Sequence, residues 1–213
     1  MRSSKGNPIG PVAVTAMLVA MISFALDSQA DIEGSKHDFS DQGWAGGQLC
    51  VVCHTPHGAD TSWTDVPTWN HEVTSATYTL YSSPTLDATD VGQPNGVSKL
   101  CLSCHDGTVA VDNFGGQTGD TFFVSGGALI GTDLSNEHPI SFVYDDELAS
   151  TDGGLHQPTT TNSGLGGTID NDLLFATKVE CGSCHDVHNA ENISGLLRKS
   201  NAESALCLTC HDK

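Results

Sequence analysis

The sequence predicts a protein that is mostly coil, with short α-helices and very little β-structure, organised by something other than a side-chain core. Three observations support this prediction. Aromatic residues make up only 6% of the 213 residues, whereas 23 residues are Gly. Small and polar residues dominate long stretches such as 151–171, and all eight cysteines fall in one repeated five-residue pattern. A chain with so few large apolar side chains cannot offset its ordering entropy by burying side chains alone.

The repeated pattern is C-x-x-C-H, the attachment signature of haem c. The cysteines are Cys50, Cys53, Cys101, Cys104, Cys181, Cys184, Cys207 and Cys210, and the histidines that follow them are His54, His105, His185 and His211. Two cysteines three residues apart on a helical turn reach the two vinyl groups on one edge of a porphyrin, and the next residue places an imidazole under the iron. The sequence therefore predicts a haem-organised multihaem cytochrome c fold with four covalently bound haem c groups.

Two other chemistries use paired cysteines. Four C-x-x-C pairs are sufficient for two tetrahedral zinc sites with four thiolates each, and an exported protein can use cysteines as a disulfide scaffold. Neither explains why a histidine follows the second cysteine in all four copies, since the chain has only ten histidines. The histidine therefore belongs to the motif, which favours haem.

Each haem iron also needs a sixth ligand, or it keeps an open site. Methionine is a common choice, but the three methionines (Met1, Met17 and Met21) all lie in the first thirty residues. The other candidates are the six histidines outside the C-x-x-C-H frames, namely His37, His57, His71, His138, His156 and His188.

An internal repeat ranks these histidines. The first and third motifs share a further histidine three residues on, and one more histidine precedes each pair of motifs. The predicted distal ligands are therefore His37, His57, His138 and His188. A histidine three residues after a proximal ligand points away from its own haem, so His57 and His188 are expected to ligate neighbouring haems. His71 is a reserve ligand, and His156 is expected to be an ordinary surface residue.

Residues 1–30 are predicted to be a signal peptide. A positive start is followed by the uncharged run 11–26, and Ser28-Gln29-Ala30 matches a cleavage site. The apolar run has 16 residues, fewer than the ~20 that a membrane-spanning helix needs. Residues 31–213 then form a single tetrahaem domain with two internal repeats, at about 31–115 and 116–213. The mature protein is expected to be exported, periplasmic or extracellular.

The charge balance limits the partners. With 8 basic against 26 acidic residues, the formal net charge is −18. Such a surface repels nucleic acid and anionic lipid, so neither is an expected partner, and stable membrane insertion is not expected. Redox partner proteins or extracellular electron acceptors fit better.

The elements are expected to be short. Helices are predicted at Val97–His105 and Lys178–His185, and the capping box Ser200–Glu203 is predicted to open a helix that carries Cys207 to His211. Thr121–Ile130 fits a short strand or hairpin, whereas Thr85–Gly96 and Gly153–Gly167 are expected to be loops. The larger apolar residues are expected to pack on porphyrin faces or fill gaps: Trp44, Trp63, Trp69, Phe123 and Leu173.

Several segments resemble the small multihaem (tetrahaem) c-type cytochromes of metal-reducing and sediment bacteria with a doubled C-x-x-C-H motif. They are spread over nearly all of residues 31–213, and they are Cys50–His57, Lys99–Thr108, His138–Phe142 and Leu196–Asn201. The resemblance implies respiratory electron transport. Some tetrahaem relatives polymerise into extracellular filaments, in which haems stack continuously and a histidine of one subunit completes a haem of the next. The resemblance thus implies a nanowire, in which His37 or His57 is the ligand donated to a neighbour.

The predicted function is electron transfer through four bis-histidine haems, without a substrate and without enzyme activity. Two imidazoles per iron and no methionine favour low reduction potentials. An alternative is a small multihaem oxidoreductase with one open-site haem. It would need a substrate pocket with basic groups, but Arg198 is the sole arginine after residue 30. A second alternative is a soluble periplasmic electron shuttle, which the sequence does not separate from a filament.

Overall fold

The computed structural model describes residues 32–212, and the predicted signal peptide (residues 1–30) lies outside them. Within this range the α-helices are α1 (Gly96–His105), α2 (Asp146–Asp152), α3 (Ile169–Leu173), α4 (Cys181–Cys184) and α5 (Cys207–Cys210). Single 3₁₀ turns lie at Ser40–Gln42, Trp44–Gly46, Gly126–Ala128 and Ala202–Ser204. Strands β1 (Phe142–Val143) and β2 (Lys178–Val179) form one antiparallel pair. The remainder of the described chain is turn and coil, which confirms the mostly coil expectation.

Helix α1 is the longest described helix and matches the prediction for Val97–His105 closely. It ends at His105 because Gly107 adopts a positive φ of 76°, a conformation that terminates helices and that glycine takes without strain. The amide of Asp106 still donates to the carbonyl of Leu102 at 2.8 Å, which closes the last turn. The second C-x-x-C-H motif therefore lies at the C-terminal end of a regular helix.

Helices α2 and α3 were not predicted, although α2 carries ordinary signals. Asp145 caps it by accepting a hydrogen bond from the amide of Leu148 at 2.8 Å, and Gly153 ends it with a φ of 68°. Both capping residues could be identified from the sequence, but the segment between them is short and lies in a polar stretch. The predicted strand or hairpin at Thr121–Ile130 is wrong, since this segment holds coil and the 3₁₀ turn at 126–128.

The predicted helix at Lys178–His185 is two elements. Residues 178–179 pair with β1, and the helical turn α4 begins only at Cys181. The predicted capping box at Ser200–Glu203 is also wrong. The Ser200 hydroxyl accepts from the amide of Ala202, and Glu203 has a left-handed φ of 55° that breaks the helix. The reciprocal bonds of a capping box form instead between Glu180 and Ser183, at the start of α4.

Two small side-chain cores lie among the described residues. The larger one joins β1 to α2 and α3, and it consists of Phe142, Tyr144, Ala149, Ile169 and Leu173. The smaller one packs Tyr78 and Leu134 against Leu102 of α1. Leu173, expected on a porphyrin face or in a gap, thus lies in a protein core. Trp69 is buried, whereas Phe123 is 44% exposed. Side chains therefore supply more of the core than the composition suggested.

Across residues 32–212, none of the helices has the length and apolar character that crossing a membrane requires.

The larger core gives a first prediction. Leu173→Ala should lower the free energy of unfolding of the haem-loaded protein by about 2–5 kcal/mol, because Leu173 is only 2% exposed and its removal leaves a cavity. Leu165→Ala is the matched control, since Leu165 is 37% exposed. Denaturant unfolding monitored in the far ultraviolet measures both. Equal losses in the two variants would mean that this cluster is not a stabilising core.

Candidate functional site

Each C-x-x-C-H motif folds as a single helical turn. The amide of the histidine donates to the carbonyl of the first cysteine at 2.8 Å for His54, 3.0 Å for His185 and 3.0 Å for His211. The motif of His105 forms the last turns of α1. Residues i, i+3 and i+4 of a helical turn share one face. Both sulfurs and the imidazole therefore project to one side of each turn, as attachment of a porphyrin requires.

The rings of three motif histidines are oriented by backbone carbonyls. The Nδ1 atom of His54 lies 3.0 Å from the carbonyl oxygen of Pro67, that of His105 2.7 Å from Ala128, and that of His185 2.9 Å from Gly195. Because a carbonyl only accepts, Nδ1 carries the hydrogen and Nε2 keeps its lone pair. This is the tautomer of a histidine that binds a metal through Nε2. The donor set therefore fits a haem iron.

Three of the motif histidines face a second imidazole. The ring centres are 5.9 Å apart for His37 and His105, 6.3 Å for His54 and His188, and 6.3 Å for His138 and His211. The ring planes are inclined at 54°, 16° and 74°. Each pair combines one C-x-x-C-H histidine with one histidine predicted as a distal ligand.

The spacing of these pairs is what axial ligation needs. Since an imidazole nitrogen binds a metal at about 2 Å and lies ~1 Å from its own ring centre, two imidazoles on opposite sides of one metal have centres roughly 6 Å apart. The angle between the planes is not constrained, because each ring can turn about the axis through the metal. The distance between the ring centres of each pair therefore matches the one that a single iron between two axial imidazoles would require.

His37 is half-buried, and its Nδ1 is a buried atom with no hydrogen-bond partner among the described residues. Burial, and to a lesser extent His105 and His185, lower the pKa of His37 to about 4. The ring is therefore neutral at physiological pH, the form that binds a metal. It also lies in the same chain as the motif that it faces.

The other two distal candidates that belong to imidazole pairs lie at the surface. The Nδ1 atom of His138 is 2.8 Å from the carbonyl of Pro139, which leaves Nε2 as the available nitrogen. His188 is 51% exposed by side chain, and its Nδ1 lies 3.6 Å from a carboxylate oxygen of Asp186. Its ring is nearly parallel to that of His54. The third motif segment therefore contributes a ring to the first motif.

The remaining histidines have different surroundings. His57 is exposed, and no ring contact joins it to another histidine within residues 32–212. His71 is buried, with Nδ1 2.7 Å from the carbonyl of Glu72 and Nε2 3.0 Å from that of Ala110. Both nitrogens of His71 thus face backbone acceptors, and neither is directed at a second imidazole. His156 is half-buried beside the last motif, where its amide donates to the carbonyl of Cys210 at 2.8 Å.

The cysteines lie in the described part of the chain as eight free thiols. Within residues 32–212, no group of three or more His, Cys, Asp and Glu side chains converges as a structural zinc site requires. Burial raises the pKa of Cys53 to about 11, and burial followed by the charge of Cys53 raises that of Cys104 to about 12. Burial therefore favours the protonated form of these two thiols.

Cysteines of successive motifs affect one another's pKa. Burial, followed by the charge of Cys53, raises the pKa of Cys104. A hydrogen bond between Cys101 and Cys181 raises the pKa of Cys101 and lowers that of Cys181. Burial, followed by the neighbouring Cys207, raises the pKa of Cys184. In three successive pairs of motifs, a cysteine of one motif thus affects the pKa of a cysteine of the other.

Aromatic side chains lie beside the imidazole pair of His37 and His105. Trp44 contacts Phe39 at 5.9 Å and Phe122 at 5.3 Å between ring centres, and Phe39 lies 6.2 Å from the ring of His37. Trp69 packs edge-on against His54 at 6.4 Å, and its buried Nε1 has no hydrogen-bond partner among the described residues. The aromatic rings beside His37 and the ring of Trp69 beside His54 each offer an apolar face that suits a flat macrocycle, and the free donor of Trp69 suits a polar edge group.

Sequence reasoning missed two kinds of residue at these sites. The carbonyls of Pro67, Ala128 and Gly195 orient the proximal rings, but a backbone acceptor carries no sequence signal. Glu180 connects two of the motifs. The sequence signal for this residue is the Glu-x-x-Ser arrangement that begins one residue before the third C-x-x-C-H and ends inside it.

The C-terminal part of the chain, residues 175–213, matches the family described as Doubled CXXCH motif. A search among curated proteins found no match. The match indicates a multihaem c-type cytochrome-like protein with covalently bound haem c, and it suggests electron transfer. It covers the third and fourth motifs.

The surroundings of His71 give a second prediction. His71→Phe should lower the free energy of unfolding by about 2 kcal/mol, since the buried carbonyl of Ala110 would lose its imidazole partner. It should leave the low-spin signals of the haem-loaded protein unchanged in electron paramagnetic resonance. His156→Phe is the control for loss of a histidine outside the imidazole pairs. A new high-spin signal in His71→Phe would make His71 an axial ligand.

Proposed function

We propose that this chain is an electron-transfer protein that binds four haem c groups at its four C-x-x-C-H turns, with two histidines on each iron. The observation that carries the proposal is the set of three imidazole pairs at 5.9–6.3 Å. When bound, haem c supplies the one-electron iron couple. The chain supplies the ligands, their orientation and their surroundings, and two imidazoles per iron leave no coordination position for a substrate.

From the pairs we infer three of the four distal ligands. His37 serves the second site, opposite His105, and His138 serves the fourth, opposite His211. His188 serves the first site, opposite His54. The assignment of His188 agrees with the argument that a histidine three residues after a proximal ligand binds a neighbouring haem. It requires the first and third sites to be adjacent.

The order of the sites supports a continuous path. In each pair of successive turns, a cysteine of one turn affects the pKa of a cysteine of the other. The second and third turns are also joined by the hydrogen bonds of Glu180 and Ser98. Because each thioether would lie at the edge of its haem, neighbouring cysteines bring haem edges together. Electrons then pass along the chain without leaving the protein. The acidic surface, with a formal net charge of −18, favours a basic redox partner.

His185 is the proximal ligand without a paired ring, and His57 is the remaining distal candidate. By the repeat, His57 would serve the third site as His188 serves the first. His57 is exposed and lies in no histidine ring contact within the described range. It is therefore the histidine best placed to bind a haem of another copy of the chain. As a second candidate function, we propose that His57 of one copy completes the His185 site of the next, in an exported, extracellular filament.

A third prediction tests the assigned ligands. In His37→Ala, His138→Ala and His188→Ala, one of the four irons should change from low-spin to high-spin, because it loses one of its two imidazoles. Electron paramagnetic resonance of the oxidised protein measures the change, after the haem content has been determined from the pyridine haemochrome spectrum. His156→Ala is the control and should keep the wild-type spectrum.

Two results would contradict the proposal. Protein exported by a host that attaches haem c, yet without covalent haem, would exclude the haem proposal altogether. A substantial high-spin signal in the wild-type protein would favour the open-site oxidoreductase instead.

A fourth prediction separates the filament from the monomer. The wild-type secreted protein should form long assemblies in electron micrographs under native conditions, and His57→Ala should abolish them and leave one high-spin iron per chain. His156→Ala should assemble as the wild type does. A wild-type monomer whose irons are all low-spin would exclude the filament and make His57 an internal ligand.

A further inference from the structure

Glu180 is a buried carboxylate located between two haem-attachment turns. Its side chain is 2% exposed, and it immediately precedes Cys181, the first residue of α4. Gly96, the first residue of α1, lies against it, since a Cβ at Gly96 would be 3.2 Å from Oε1 of Glu180. The carboxylate thus contacts the N-terminal ends of both helices. The opposite ends of α1 and α4 lead to His105 and His185.

The carboxylate caps both helices. It accepts a hydrogen bond from the amide of Ser183 within α4, and its Oε2 accepts from the amide of Ser98 in α1 at 3.2 Å. Asn95, at the N-cap position of α1, makes no side-chain cap of its own. The orphan amides at the start of a helix need an acceptor, and here α1 obtains it from another segment.

The capping is reciprocal. The hydroxyl of Ser98 accepts from the amide of Cys181 at 2.9 Å, so each helix caps the other. Ser141 donates to Oε2 of Glu180 at 2.9 Å and fixes the carboxylate from the β1 side. Ser98 is fully buried, so water does not compete for these bonds.

No lysine or arginine forms an ion pair with Glu180 in the described part of the chain. The positive charge of Lys178 lowers the pKa of Glu180, but the Nζ atom of Lys178 donates its hydrogen bond to Oδ1 of Asn95 at 3.3 Å. Burial raises the pKa of Glu180, and hydrogen bonds from Ser98 and Ser141 oppose that shift. An isolated buried carboxylate is costly, and neutral donors compensate only in part.

We propose that Glu180 is a positioning residue that holds the second and third haem-attachment turns together and keeps a negative charge between them. The inference rests on the proposed haem binding at these turns. Through the caps, Glu180 fixes the contact of α1 with α4, and with it the spacing of the two sites. Through its charge, it favours the more positive, oxidised state of both sites and so lowers their reduction potentials.

Three variants separate position from charge. Glu180→Gln keeps the size of the side chain and removes the charge. Glu180→Asp keeps the charge but is too short to reach both helices. Ser98→Ala removes the reciprocal cap without changing any charge. Glu147→Gln is the control for net charge, because Glu147 is exposed on α2, away from this junction.

The readouts are a potentiometric titration at mildly alkaline pH and the magnetic coupling between haems in electron paramagnetic resonance. Glu180→Gln should raise two of the four potentials, whereas Ser98→Ala and Glu147→Gln should leave the potentials as in the wild type. Glu180→Asp and Ser98→Ala should change the magnetic coupling of one pair of haems.

The inference would be overturned if Glu180→Gln had wild-type potentials or shifted them no more than Ser98→Ala does. If Glu180→Gln does not accumulate, wild-type coupling in both Glu180→Asp and Ser98→Ala overturns it. A wild-type protein without covalent haem is a failure of the proposed function, and the haemochrome spectrum shows this before any variant is measured.

Discussion

A histidine that must face a metal squarely needs a fixed ring, and the ring is fixed by a hydrogen bond from its other nitrogen. In three of the four C-x-x-C-H turns that bond goes to a backbone carbonyl 10, 13 or 23 residues further along the chain. The coil segments that follow these motifs therefore supply the carbonyls that orient the rings. Each returns to its own motif and places one carbonyl beside the imidazole. Glycine and proline at or near these positions suit such tight returns better than regular helix or sheet would.

This constraint accounts for the unusual balance of stabilising interactions. The segments that return to these rings are coil, and the side-chain cores are small: one joins β1 to α2 and α3, and the other packs the coil residues Tyr78 and Leu134 against α1. Buried serines and carboxylates take part in joining segments, as Ser98 and Glu180 do. Asp106 likewise accepts from Thr74, Tyr78 and Thr108 beside the second motif. Buried hydrogen bonds of this kind are specific in geometry, so they hold sites at defined spacing where apolar packing is sparse.

The candidate proximal ligands and the exclusion of methionine could be proposed from the sequence because they depend on local spacing and composition. The helix at 96–105 was predictable for the same reason. Capping chemistry was less reliable. Ser200–Glu203 and Glu180–Ser183 both have the residue types of a capped start, but only the second is buried against another helix that needs an acceptor. The pairing of distal with proximal histidines was not predictable, since it depends on which loops meet. His71 shows the converse: it was a reasonable ligand by sequence, yet both its nitrogens face carbonyls.

The pairs also bear on how the two predicted repeats relate. His37 faces His105 within the first copy, and His138 faces His211 within the second. By contrast, His188 of the second copy faces His54 of the first, and Glu180 of the second caps α1 of the first. Two independent links thus join the copies, one between imidazoles and one between helix ends. Separated copies would each lack a ring or a cap. The link through Glu180 also keeps the second and third sites in contact, and the proposed electron path across the repeat boundary would require such a contact.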